Sequence, residues 1–193
     1  GKTLGGSSSS NAMVYTRGHR SDYDHWAELG NAGWSYADLL PLFKRCQHQE
    51  RGPSEHHGVG GPLNVADPRQ RGEISEVFVR AAGEAGYPLS DDFNGAEQEG
   101  VGFYQLTQKD GRRCSSARAY LHPVRARPNL TVITDALVSR VLFEGHRAIG
   151  VRYLDRAGQT FDLQARREVV LAGGAINSPQ LLLLSGVGPR AEL

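Results

Sequence analysis

Cysteine is scarce in this chain: Cys46 and Cys114 are the only two among 193 residues. Two cysteines cannot build a disulfide framework, and their separation has no metal-ligand pattern. Both read as free thiols of a reducing compartment, a single disulfide between them being the alternative. A charge excess is missing too. Lys and Arg number 22 and Asp and Glu 21, a net charge of +1, which leaves no electrostatic case for nucleic acid or an anionic surface. Long apolar runs are absent. The longest, Leu181–Leu184, has four residues, against the roughly 18 that span a bilayer. No GxGxxG followed by an acidic ribose ligand occurs, so there is no complete dinucleotide fingerprint. The first residue is Gly1 rather than Met, and the chain reads as starting inside a longer protein.

What is abundant is glycine, 24 residues against a usual share of about 7%. Many are paired, which implies tight turns and close backbone approaches. The length allows one domain or two small ones. The opening stretch concentrates the signal. Gly5 and Gly6 are followed by Ser7, Ser8, Ser9 and Ser10, then Asn11, Ala12, Met13 and Val14. Glycine lets a backbone approach a ligand, and small hydroxyl residues add donors without filling space. Such a stretch can wrap a phosphate or the polar edge of a flat ring. The same composition suits a flexible linker or a tag remnant. The folded-looking sequence from Val14-Tyr15 and Arg17 onward favours a built site.

Further along, Ser21-Asp22 predicts a cap for a short helix through Trp26 and Leu29, closed by Gly30. Ser35 opens a second helix, kinked or delayed by Pro41. Residues 47–61 are polar and carry His48, His56 and His57, and read as a surface loop, since no third metal ligand sits at a useful offset. Residues 62–65 form a short strand. Residues 73–86 give the clearest amphipathic helix, with Ile74, Val77, Phe78, Ala81, Ala82 and Ala85 at helical spacing. Residues 91–95 form a turn. Residues 101–107 alternate like a strand, and Asp110-Gly111 marks a hairpin. Ser115 or Ser116 caps a helix stopped by Pro123.

From Asn129 the character changes. Residues 130–134, 136–143, 149–154 and 161–163 predict an antiparallel meander of short strands. Residues 168–171 predict a buried strand of parallel type. Ala172-Gly173-Gly174 follows it, and Asn177 or Ser178 caps a helix with Pro179 at its first position, ended by Gly186. Strand, glycine turn and helix N-terminus together aim amide groups at a bound anion.

Two stretches, GGSSSSNAMVYTRG from Gly5 and GAINSPQLLLLSGVG over Gly174–Gly188, resemble the two signatures of the glucose–methanol–choline (GMC) flavin oxidoreductases. Between them, Arg17-Gly18, Asp24-His25-Trp26, Gly33-Trp34-Ser35, Gly61-Pro62-Leu63-Asn64-Val65, residues 91–95, Arg113 to Tyr120-Leu121 and Arg127-Pro128-Asn129 are similar to family landmarks in family order. The resemblance is nearest to the bacterial choline dehydrogenase and medium-chain alcohol dehydrogenase branch. It implies an α/β (α+β) fold: part of a Rossmann-like FAD-binding domain with an antiparallel meander, plus part of a substrate-binding domain. Residues 1–26 and 128–193 would belong to the FAD domain, and residues 27–127 would supply FAD-covering segments and the start of the substrate domain.

By the same resemblance, Thr3, Gly5, Gly6 and Ser7 would lie near the pyrophosphate and flavin, and Asn11, Ala12, Met13 and Val14 along the isoalloxazine edge. Val138 would meet the adenine edge, and Ala172 and Gly173 the ribose and pyrophosphate. Ser10 stands where some oxidases carry a His bonded covalently to FAD, so non-covalent FAD is expected. No catalytic residue is assigned here, because the family's catalytic His would lie beyond Leu193. The expected reaction is hydride transfer from a primary alcohol, choline or aliphatic, to flavin N5, giving an aldehyde. The alternative is a truncated, inactive product that binds FAD weakly or not at all. A small-molecule alcohol is the expected partner, with an undetermined electron acceptor, no nucleic acid and no transmembrane segment. The expected location is the cytoplasm or the periphery of the inner membrane.

Overall fold

The structure is a computed structural model that describes residues 1–191. It mixes helices and short strands, in two compact units, Gly1–Leu130 and Thr131–Leu193. No described helix is long and apolar enough to cross a membrane.

In the first unit, helix α1 spans Arg20–Glu28. Its cap is His19, not the expected Ser21 or Asp22: the ring Nδ1 accepts from the Ser21 amide at 3.3 Å. A ring nitrogen in the extended residue before the helix fills the acceptor role of a serine oxygen. Helix α2, Tyr36–Cys46, is capped by Ser35, whose Oγ accepts from the Asp38 amide at 3.2 Å. The helix neither stops nor starts late at Pro41, which lies inside it. Tyr23 and Trp26 of α1 meet Trp34, Tyr36 and Phe43 with ring centroids 5.6–6.3 Å apart. Such pairs supply the packing that holds α2 through its missing proline N–H.

Residues 47–61 are a surface loop only in part. Strand β1, Gln47–Gln49, follows α2 directly and pairs in parallel with β2, Leu63–Val65. Gln47 is 0% exposed, and Gln49 and His57 are buried. The segment fits because of two glycines. A side chain on Gly58 would collide with the Lys44 backbone, and one on Gly61 would come within 2.5 Å of Cys46 and Gln47 backbone atoms.

Helix α3, Glu73–Glu84, forms as its periodicity predicts. Its apolar face stays open to solvent, with Ile74 85% exposed. Residues 101–107 are extended but form no regular strand, contrary to expectation. They make isolated bridges only, Val101 with Leu89 and Leu106 with Val14 and Ala66. The hairpin is present: β3, Gln108–Lys109, pairs with β4, Arg112–Arg113. Asp110 and Gly111 both have positive φ, 51° and 69°, as a two-residue primed turn requires. The helix predicted after Ser115 is a π-type turn over Ala117–Leu121 that tightens to 3₁₀ over His122–Val124. The Ser115 Oγ accepts from the Arg118 amide, and Pro123 sits inside the 3₁₀ turn instead of ending it.

The second unit is a three-stranded antiparallel meander of β5, Leu137–Glu144, β6, Arg147–Leu154, and β7, Thr160–Gln164, with α4, Gly174–Leu184, beside β5. The Ser185 Oγ accepts from the Val141 amide at 2.8 Å. Three expectations fail here. Residues 130–134 form no strand, and neither do residues 168–171. The latter pair with no other strand among the described residues, and a single extended segment has no ladder to hold it. Val170 is accordingly 76% exposed. Helix α4 begins at Gly174, ahead of Asn177 and Ser178. Gly174 has φ 92°, which permits the earlier start. Gly186 ends the helix as expected, the Val187 amide reaching back to the Leu182 carbonyl.

Candidate functional site

The opening stretch is a built loop. Gly5 at φ 88° and Gly6 at φ 54° lead into a 3₁₀ turn, Gly6–Ser9. The Gly6 amide bonds the Thr3 carbonyl at 2.9 Å. The Ser8 Oγ accepts from the Ser116 amide at 2.9 Å, and the Ser116 Oγ donates to the Gly5 carbonyl at 3.1 Å. The Arg113 Nη1 donates to the Ser8 carbonyl at 3.1 Å and to Asn11 Oδ1 at 2.8 Å. That same Asn11 oxygen accepts from the Met13 amide at 3.0 Å, closing a side-chain turn. It holds Met13 at φ 64°, a conformation that non-glycine residues adopt rarely and at functional sites. Beyond it the chain is clamped: Thr107 donates its amide to Met13 and Tyr15 donates to Gln105, both at 2.8 Å. Ser7, Ser10, Asn11 and Ala12 face solvent, and the Ala12 amide bonds nothing among the described residues.

Beneath the clamp lies a buried polar platform. Gln49 and Gln105 exchange two amide hydrogen bonds, at 2.8 and 3.2 Å. The Asn94 side chain accepts from the Arg17 amide and donates to the Tyr15 carbonyl. His57 spans Gln47 at 3.1 Å and Asp92 Oδ2 at 2.8 Å. Burial by itself would raise the Asp92 pKa. Hydrogen bonds from His57 and the Asn94 amide outweigh that and hold its carboxyl below the usual carboxylate range. Tyr120 is pushed up to about 12 by burial and the neighbouring Cys46 thiol, so it keeps its proton at neutral pH.

In the second unit, Val138, Ala172 and Gly173 come together on one cleft of about 670 Å³. Its walls are mainly aliphatic, from Leu137, Val151, Val169 and Leu181, and Asn177 and Ser178 of α4 also line it. The Gly173 amide donates to the Ser178 Oγ at 3.0 Å. The cleft falls within the usual range for small-ligand sites, about 300–1,000 Å³.

Sequence reasoning found the loop but missed what fixes it. Arg113, Ser116, Thr107 and Gln105 lie roughly a hundred positions from their partners, so no local periodicity links them. The one available signal was the cluster of polar residues Arg113, Ser115 and Ser116 directly after the Asp110-Gly111 hairpin.

The GMC oxidoreductase family matches residues 1–193. This chain belongs to the GMC oxidoreductase family. It is 51% identical over 193 residues to the mitochondrial choline dehydrogenase of Mus musculus, covering all of this chain and 32% of that protein. It is 51% identical over 195 residues to an alcohol dehydrogenase [acceptor] of Pseudomonas putida, covering 35% of it. The chain thus spans about a third of the length of these curated relatives. Among solved structures, pyridoxine 4-oxidase from Mesorbium loti superposes with a TM-score of 0.89 at 36% identity, over 96% of this chain and 36% of that one. An FAD-dependent oxidoreductase from Chaetomium thermophilum gives 0.88 at 35% identity, over 96% and 34%.

Proposed function

We propose that this chain forms part of an FAD-dependent oxidoreductase that converts a primary alcohol, choline or an aliphatic alcohol, to an aldehyde. Family membership supports the reaction class. The observation that carries the reading is the pinning of the Gly5–Val14 loop by Arg113, Ser116 and Thr107, which leaves the Ala12 amide without a partner among the described residues. A linker has no reason to be held at a rare φ. In the second unit, the aliphatic cleft with a helix N-terminus beside it has the chemistry that a nucleotide needs.

In this reading, Thr3, Gly5, Gly6 and Ser7 hold the pyrophosphate and flavin, and Asn11, Ala12, Met13 and Val14 present backbone groups to the ring edge. Val138 meets the adenine edge, and Ala172 and Gly173 the ribose and pyrophosphate. Bound FAD would supply the acceptor for the hydride of the alcohol carbon. The loop's task is to present donors where negative charge develops, at fixed positions that need no reorganisation. The small Ala12 side chain keeps that surface open to substrate. Ser10 cannot form a histidyl link, so the cofactor is held non-covalently. The histidines seen paired do other work: His57 is tied to Asp92 and Gln47, and His25 lies 3.5 Å from Glu28.

A second reading, a product without catalysis, is favoured by residues 168–171, which pair with no other strand among the described residues. Dye reduction with added FAD, by the longer enzyme of which this chain would form part, separates the two. Turnover with choline or a medium-chain alcohol supports the first. Absence of turnover, together with no flavin retained, supports the second. We also propose a location in the cytoplasm or at the periphery of the inner membrane, which cell fractionation tests.

A further inference from the structure

Arg17 is a buried cation without a counter-charge. It is 7% exposed. Its Nη1 donates to the His56 carbonyl at 2.9 Å, and its Nη2 to Gln47 Oε1 at 2.9 Å and to the Tyr15 hydroxyl at 3.5 Å. All three acceptors are neutral. No Asp or Glu oxygen pairs with Arg17 among the described residues. Phe43 and Tyr15 offer ring faces 5.2 and 5.8 Å from its guanidinium carbon, which moderates an isolated charge but does not neutralise it. A buried charge left unpaired is costly.

A second observation points to the same place. Among the described residues, two buried side-chain polar atoms have no hydrogen-bond partner: Arg17 Nε and His56 Nδ1. Both residues line one cavity of about 30 Å³, room for roughly one water-sized particle. His19, Arg20, Asn94 and Gln98 also line it, and no carboxylate does. Gly18, His19 and Arg20 bring the start of the nine-residue helix α1 to its wall, the positive end of that helix.

We propose that this cavity binds one small monovalent anion of chloride's size, held by the N–H groups of Arg17 Nε and His56 Nδ1. A water molecule would satisfy both nitrogens but leave the Arg17 charge uncompensated. The anion would tie the segment that leaves the Gly5–Val14 loop to the turn carrying Asn94. The inference does not depend on the alcohol-oxidising reading.

Bromide tests it. Crystals of the full chain grown or soaked in sodium bromide should show an anomalous peak between Arg17 Nε and His56 Nδ1. In solution at constant ionic strength, replacing gluconate by chloride should raise the melting temperature saturably, by roughly 2–4 °C. His56→Phe keeps a ring of similar size and should shift half-saturation to at least tenfold more chloride. Arg17→Gln should abolish the response; where that variant does not fold, His56→Phe carries the solution test alone. An absent bromide peak, or a cavity holding only water, overturns the proposal whatever the melting data show.

Discussion

The Arg113 guanidinium donates to Asn11 Oδ1 at 2.8 Å across 102 positions of sequence, and the same oxygen receives the Met13 amide at 3.0 Å. One side-chain oxygen therefore sets both the turn of the loop and its attachment to the rest of the unit. Arg113→Ala and Asn11→Ala should each weaken FAD retention, by about tenfold, the scale of one charge-assisted hydrogen bond. Fluorescence titration of FAD onto the deflavinated full chain measures it. Unchanged affinity in both variants would detach the loop from the cofactor.

Met13 at φ 64° offers a test of the loop's conformation itself. Met13→Val should destabilise by about 1–3 kcal/mol, because a β-branched residue fits that region poorly. Met13→Asn should be close to neutral. Thermal melts compare them. Equal losses in both would mean that side-chain packing, rather than backbone conformation, dominates at this position.

The Asp92–His57 pair carries a pH dependence of definite sign. The folded chain holds the Asp92 carboxyl below its ordinary range, so the folded state favours the charge. That stabilisation is present above the ordinary carboxylate range and is lost as pH falls through the lowered folded-state pKa. Melting curves of the parent and Asp92→Asn between about pH 7 and pH 3 should differ most at the neutral end and converge at the acid end. A constant gap would show that the carboxylate's charge is not what matters.

Gly58 tests the packing of β1 on β2. A Cβ there would strike the Lys44 backbone, which cannot give way as a flexible side chain could. Gly58→Ala should cost on the order of 3 kcal/mol or more, whereas Gly60→Ala meets no atom within 4 Å and pays only for its positive φ. A milder effect at Gly58 than at Gly60 in parallel melts would contradict the backbone contact.

How far the sequence carried can be seen residue by residue. Ser35, Asp110 and Gly186 act where they are expected, because caps and turns are decided by a few adjacent residues. The α3 pattern gave its helix for the same reason. The buried glutamines misled: Gln47 and Gln49 read as surface, yet their amides are satisfied by His57 and Gln105, partners that only the fold brings near. Residues 168–171 misled the other way. Their composition is that of a buried strand, but a strand exists only where a neighbour offers its hydrogen bonds. For the site, the Gly5–Val14 stretch was legible as a built loop rather than a linker. Its anchors, Arg113 and Ser116, were not, since nothing local marks a contact a hundred residues away.

The central claim is that this loop belongs to a non-covalent FAD site, and the most direct test is the fate of the flavin. The full chain, purified in the presence of FAD, should show flavin absorbance, and acid precipitation should release all of the yellow colour into the supernatant. Colour retained on the precipitate, or no flavin absorbance before acid is added, would contradict the account.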